Sequence, residues 1–196
     1  MNKHLTAYKD VTQTDISPLI SAINIMGRNL TGLELGVFRA ESFLTILQNC
    51  NNVKKLIGVD NWKPYTDYLR RVPNGIPVET TDEKQMKLNE SIAMLNLEYG
   101  TPKGKEVVII KKDSLDAIEH IDDKSLDFIF FDAMMTEKQC LEEAMAYYPK
   151  IKKGGYFTGH DSICIQQVIE PIKKVKKHFK NNNDLISYAN CFLFKI

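Results

Sequence analysis

The chain has 196 residues, 43% of them hydrophobic and 26% charged, with a formal net charge of +1. That length is enough for one domain with a sizeable core. The near-neutral balance excludes the global field that draws a protein to nucleic acid or an anionic membrane, and no apolar run approaches the roughly 18 residues of a membrane span.

The opening stretch, residues 1–14, is polar and reads as an arm, without the apolar core of a secretory signal. Cys50, Cys140, Cys164 and Cys191 form no Cys-x-x-Cys pair. They are expected as free thiols in a reducing, cytoplasmic setting, not as a disulfide framework or a zinc site. Residues 15–26 predict a helix: Asp15 can cap it, Pro18 suits its first turn, and Ile16, Leu19, Ile20, Ile23 and Met26 share a face. Residues 31–37 predict a strand, and residues 40–50 the helix that follows. Val53 to Asp60 predicts a second strand ending on a carboxylate, with the spacing of one βαβ unit.

Residues 61–81 are rich in rings, prolines and basic side chains, and read as a lid-like insertion. A helix is predicted from Thr81 or Asp82 to about Tyr99, with Met86, Ile92 and Leu95 buried. Residues 106–111 predict a third strand, followed by a turn carrying Asp113 and Ser114. Leu126-Asp-Phe-Ile-Phe-Phe-Asp132 reads as a strand covered on both faces, central in a parallel sheet. A helix is expected over Glu137 to Tyr148, a turn at Lys152-Lys-Gly-Gly155, and a strand from Tyr156 that finishes on His160 and Asp161. Ile163 to Phe179 reads as a helix interrupted or joined at Pro171, with Lys173 to Lys177 on its wet face. Residues 185–189 and 191–196 close the chain as a hairpin. The whole is expected to be one domain, residues 1–196, with residues 1–29 as an N-terminal arm and helix.

Strands alternating with helices predict an open α/β sheet, and such sheets bind ligands outside the carboxyl ends of their strands. Polar groups stand at those ends throughout: Glu34 and Gly36, Asp60, Asp113 and Ser114, Asp132, His160 and Asp161. Any one carboxylate could be an ordinary helix cap; the coincidence at successive strand ends points to a site. The first turn adds a glycine, which lets backbone approach a ligand, and a helix start with unpaired N–H groups.

Glu34-Leu-Gly-Val-Phe-Arg-Ala-Glu-Ser42 resembles the first motif of class I S-adenosylmethionine-dependent methyltransferases. Gly58-Val-Asp-Asn-Trp62 resembles their second motif, and Lys112-Asp-Ser114, Asp127 to Asp132 and Lys153 to Asp161 fit the later ones in order. The resemblance, over about residues 30–165, implies a Rossmann-like three-layer sandwich. Its seven-stranded, mostly parallel sheet would have order 3-2-1-4-5-7-6 with the seventh strand antiparallel. It implies a cofactor, S-adenosylmethionine, bordered by Glu34, Gly36, Phe38 and Ser42 of the first motif. Asp60, Asn61, Trp62, Asp113, Ser114 and Asp132 would complete the border, with Asp60 on the ribose and Asp113 and Ser114 on the adenine. Trp62 reads equally as a loop anchor in the core.

The resembled subgroup includes metal-dependent O-methyltransferases of small molecules and sugars. It implies catalytic roles for His160 and Asp132, and a Mg²⁺ or Mn²⁺ held by Asp132, His160 and Asp161. His160 as an organic general base is one alternative; a purely structural role, with His160 and Asp161 hydrogen-bonding the following helix, is the other. Two positions depart from the pattern: Ala40 stands where glycine is frequent, and Ala133-Met134-Met135 stands where a basic residue is frequent, leaving His160 or Lys138 to serve. The acceptor is expected to be a small molecule or glycan, with no nucleic acid or membrane partner and a homodimer left open. A non-catalytic cofactor-binding protein of the same fold is the competing reading. A nicotinamide oxidoreductase is disfavoured because Gly-x-Gly-x-x-Gly is absent.

Overall fold

The structure, a computed structural model, describes residues 15–64, 82–133 and 136–196. The arm expected at residues 1–14, most of the lid-like insertion and Met134-Met135 lie outside them. The sheet has order β3-β2-β1-β4-β5-β7-β6. Its strands are β1 (Leu30–Leu35), β2 (Val53–Val59), β3 (Glu106–Ile110), β4 (Leu126–Phe131), β5 (Ile151–Gly159), β6 (Ile186–Tyr188) and β7 (Cys191–Lys195). β1 to β5 pair in parallel, and β7 runs antiparallel to both β5 and β6. This is the expected Rossmann-like three-layer architecture.

β4 shows why the layers form. Its residues alternate between two cores: Phe128 and Phe130 pack toward α1 (Ser17–Asn24), α2 (Glu41–Asn49) and α3 (Glu83–Gly100). Ile129 and Phe131 pack toward α5 (Glu137–Tyr147) and α6 (Glu170–His178). A strand buried on both faces can only sit inside a covered parallel sheet. Gly32 of β1 lies under the Phe128 ring, where an added Cβ would fall 2.0 Å from a ring carbon.

The register positions the site. Ile110 pairs with Val59, Val59 with Leu35, Leu35 with Phe131 and Phe131 with Gly159, one row across the sheet. The ladder runs one residue further: Gly36 N donates to Val59 O at 2.9 Å, Asp132 N to Leu35 O at 2.9 Å and His160 N to Phe131 O at 2.8 Å. Gly36, Asp60, Asp132 and His160 therefore leave the sheet together at its carboxyl rim.

Several local expectations are corrected. Leu95 of α3 is 53% exposed; Met86, Asn89, Ala93 and Leu97 face the core instead. Lys152 to Gly155 are not a turn but part of β5, where Gly154 takes φ 86°, the register against β4 shifts, and Gly154 and Gly155 exchange backbone hydrogen bonds with Ile196. The segment around Pro171 is a join: a π-helical turn, Ile165–Ile169, runs into α6 with the proline in its first turn. β6 and β7 meet at Ala189 and Asn190, both with positive φ, the conformation a two-residue hairpin favours. Among the described residues no helix is long and apolar enough to cross a membrane.

Candidate functional site

The turn after β1 sets the site's shape. Gly36, Phe38 and Ala40 all have positive φ, at 88°, 50° and 64°. Only the first is glycine, and it is the one with no room: a Cβ there would stand 2.5 Å from the Asp132 carbonyl oxygen. β1 and β4 can converge only because residue 36 lacks a side chain. Ala40 is fully buried and starts α2 without a side-chain cap.

Asp60 holds this turn in place. Its Oδ2 accepts from Phe38 N and its Oδ1 from Trp62 N, both at 2.8 Å. The Trp62 indole N–H donates to the Phe38 carbonyl at 2.8 Å. Trp62 is 4% exposed and belongs to the α1–α3 core, so of its two readings the structure places it as the loop anchor. Burial raises the Asp60 carboxyl above its ordinary value, against the pull of the four backbone donors around it.

Glu34 is fully buried on β1, and Ser42 Oγ donates to its Oε1 at 2.6 Å. Its Oε2 has no partner. Burial pushes this carboxyl well above the usual range, and the nearby Asp132 and Asp60 push the same way.

On the far side, Asp113 precedes α4 (Ser114–Ala117) but does not cap it with its side chain. It accepts instead from Asn61 Nδ2 at 2.6 Å and from Lys63 Nζ at 2.7 Å, and these donors hold its carboxyl below its ordinary value. Ser114 Oγ donates to Glu143 Oε1, Gln139 Nε2 to the same oxygen at 2.9 Å, and Tyr147 OH to the Ser114 carbonyl at 2.6 Å. A cleft of about 50 Å³ runs between these groups, lined in part by Gly36, Asp60, Asn61, Asp113, Ser114 and Ala133. It opens beside a shallower depression of about 610 Å³ that includes Lys63, Lys112 and Asp116.

The third group forms where β4 and β5 end. His160 Nδ1 lies 3.0 Å from Asp161 Oδ1 and 3.5 Å from Asp132 Oδ1. Asn190, from the β6–β7 turn, places its Nδ2 at 3.3 Å from His160 Nε2. The Asn190 amide is oriented by its Oδ1, which accepts from Ile163 N at 3.1 Å. Nδ1 thus carries the proton shared with the carboxylates, and Nε2 presents the lone pair. Burial of the imidazole works against its protonation, but the two carboxylates prevail and raise it. Burial lifts Asp132 to about 7, with the imidazole pulling the other way; the imidazole holds Asp161 low.

The sequence expectations divide accordingly. Gly36, Asp60, Asn61, Asp113 and Ser114 meet at the cleft. Glu34 and Ser42 bond each other beneath it, Phe38 contributes backbone, and Trp62 is core. Asp132, His160 and Asp161 come together at the ends of β4 and β5 as an ion-paired cluster. Oδ1 of both carboxylates faces Nδ1, and Asn190 faces Nε2. Among the described residues no three His, Cys, Asp or Glu side chains are grouped to hold a metal ion. Lys138 sits on the wet face of α5, 3.7 Å from Glu142, away from the cluster. Sequence reading missed Gln139, Glu143 and Asn190. The first two stand at i and i+4 on α5, a spacing that puts them on one face; nothing local marks Asn190.

A seven-stranded sheet of this order, with a glycine turn after β1 and a carboxylate after β2, defines a class I S-adenosylmethionine-dependent methyltransferase. Within that class, the profile of a family described as a methyltransferase domain matches residues 33–162, and the chain belongs to that family. No curated protein matches at the sequence level. Among solved structures the chain is similar to the O-methyltransferase NovP, with TM-score 0.59 and 14% identity over 90% of this chain and 74% of that one. It is similar to a Corynebacterium glutamicum protein, with TM-score 0.57 and 13% identity over 91% and 78%. It also resembles a precorrin 8w decarboxylase from the Methanobacterium thermoautotrophicum genome, with TM-score 0.55 and 14% identity over 91% and 88%. At these identities the likeness is one of fold.

Proposed function

We propose that this protein transfers the methyl group of S-adenosylmethionine to a hydroxyl of a small molecule or glycan, with His160 taking the hydroxyl proton. The observation that carries the reading is the His160 imidazole two strands away from the Gly36 turn, across β4, with its Nδ1 on two carboxylates and its Nε2 facing the Asn190 amide. The O-methyltransferase named among the similar structures supports a hydroxyl acceptor.

When bound, S-adenosylmethionine supplies an electrophilic methyl carbon that is displaced in line from sulfur. The chain supplies the rest. The Gly36 turn and Asp60 fix the floor on which a nucleoside would lie. His160 Nε2 accepts the acceptor's hydroxyl proton as its oxygen forms the new bond, with the acceptor hydroxyl replacing the Asn190 amide there. Asp132 and Asp161 stabilise the imidazolium so formed. Among the described residues no grouped ligand set for a metal is found.

Isothermal titration with S-adenosylmethionine tests the cofactor; no binding at millimolar cofactor would remove the reading. Turnover across a panel of phenols, sugars and glycosides tests the acceptor. Activity abolished by EDTA and restored by Mg²⁺ would overturn the metal-free routing of the proton.

A further inference from the structure

We propose that Glu143 is the residue that reads the 6-amino group of the cofactor's adenine. The proposal rests on the reading that the cleft takes S-adenosylmethionine, and it names a reader that the sequence motifs do not supply.

A purine amino group needs an acceptor, and the obvious acceptors are engaged. Both Asp60 oxygens hold backbone N–H groups. Both Asp113 oxygens hold Asn61 and Lys63. Among the described residues, the buried carboxylate oxygens without a partner are Glu34 Oε2 and Glu143 Oε2. Glu34 does not line the cleft, whereas Glu143 does, together with Asn61, Ser114 and Ala133.

Glu143 is 1% exposed. Its Oε1 is held by Ser114 Oγ and Gln139 Nε2, which orients the carboxyl group and leaves Oε2 without a partner. Tyr147 fixes the Ser114 backbone from behind. A buried acceptor left without a donor costs free energy, and a ligand that brings the donor recovers it. Burial pushes the carboxyl above its ordinary value while Ser114 and Gln139 pull it down; a donor on Oε2 adds to that pull. An oxo group at the same position would set lone pair against lone pair. The site therefore selects a 6-aminopurine over a 6-oxopurine.

The test is calorimetric titration of the full chain with S-adenosylhomocysteine and with S-inosylhomocysteine, which differ in the 6-amino against the 6-oxo group and the N1 proton that accompanies the latter. The analogue bearing hydrogen at position 6, which keeps N1 unprotonated, isolates the amino group. The wild-type protein should bind the adenosyl compound roughly tenfold to a hundredfold more tightly, the range for one hydrogen bond to a charged group. Glu143→Gln, whose amide can donate to an oxo group, should bring the two within about threefold. A folded Glu143→Gln protein with the wild-type ratio overturns the assignment while leaving the cofactor reading intact. Failure of the wild-type protein to bind S-adenosylhomocysteine overturns the cofactor reading and this proposal with it. Should the variant not fold, wild-type protein decides the matter with the analogue bearing hydrogen at purine position 6. That compound should bind roughly tenfold more weakly than the adenosyl one, and equal affinity overturns the proposal.

Discussion

The two halves of the carboxyl rim use their carboxylates in opposite ways. At the ends of β1, β2 and β3, Asp60 and Asp113 are tied to groups that keep their charge: backbone N–H, an amide and a lysine. At the ends of β4 and β5, Asp132 and Asp161 are tied to an imidazole, which does not. The first half is built to keep one shape. The second is built so that a proton can be gained or lost within it. The methyl transfer proposed above would use both, a rigid floor for a cofactor and a corner where charge moves.

The sharpest way to break the first half is Gly36→Val. The new side chain would meet the Asp132 carbonyl and the Ala133 backbone, at a φ of 88° that L-residues avoid. Left-handed strain of about 1–2 kcal/mol and overpacking of about 1–3 kcal/mol add at one position. The variant should lose measurable S-adenosylmethionine binding, and urea titration should show a stability loss of several kcal/mol. Wild-type affinity in this variant would mean that the cofactor does not use the turn.

His160→Ala breaks the second half and should spare the first. Removing a general base costs typically 10²–10⁴-fold in turnover, while S-adenosylhomocysteine affinity should stay within about threefold of wild type. Single-turnover rates beside calorimetric binding separate the two effects. Equal losses in both would show that the corner is part of the floor.

Asp132→Asn sharpens the contrast through pH. Burial holds the Asp132 carboxyl near 7 in the folded protein, above the value of about 4 it has in the unfolded chain. Folding therefore binds a proton here. The stabilisation is complete below about pH 4 and is lost as pH rises toward 7. His160, also raised, contributes in the same direction, its share disappearing above its ordinary range. Wild-type stability should fall more steeply than that of Asp132→Asn between pH 4.5 and 7.5. By linkage the divergence is at most on the order of 4 kcal/mol. Parallel pH profiles would show that the Asp132 carboxyl ionises freely.

How much of this was legible in the sequence follows the same division. Parallel pairing and the carboxylates at the rim were readable from the residues, because an apolar run ending on Asp suits a strand inside a covered sheet; the strand order came only with the family resemblance. What the carboxylates bond to was not readable. Asp60 looked like a ribose ligand and proves also to be the clasp of the Gly36–Ala40 turn, because its partners are backbone groups that leave no mark in composition. Asp132 and Asp161 looked like metal ligands. In the fold both face the His160 imidazole, whose other nitrogen meets Asn190 from a hairpin far along the chain. Leu95 was misplaced for a simpler reason: α3 turns the polar Asn89 inward, so its apolar pattern does not trace its buried face.

The smallest effect is expected at Ala40. The residue sits in a left-handed conformation at φ 64°, fully buried, at the start of α2. An alanine there bears strain of about 1–2 kcal/mol. Ala40→Gly removes that strain but gives the unfolded chain more freedom, at a cost of about 0.5–1 kcal/mol. The net should be a gain of up to about 1 kcal/mol in urea titration, with cofactor affinity unchanged or slightly improved. A loss of stability would mean that the Ala40 methyl packs well enough against the α1–α3 core to outweigh the strain. The turn would then be held by its burial as much as by the clasp of Asp60. The rigidity of the floor would reside in the core beneath it, and Asp60→Asn would be expected to loosen it less than its paired hydrogen bonds suggest.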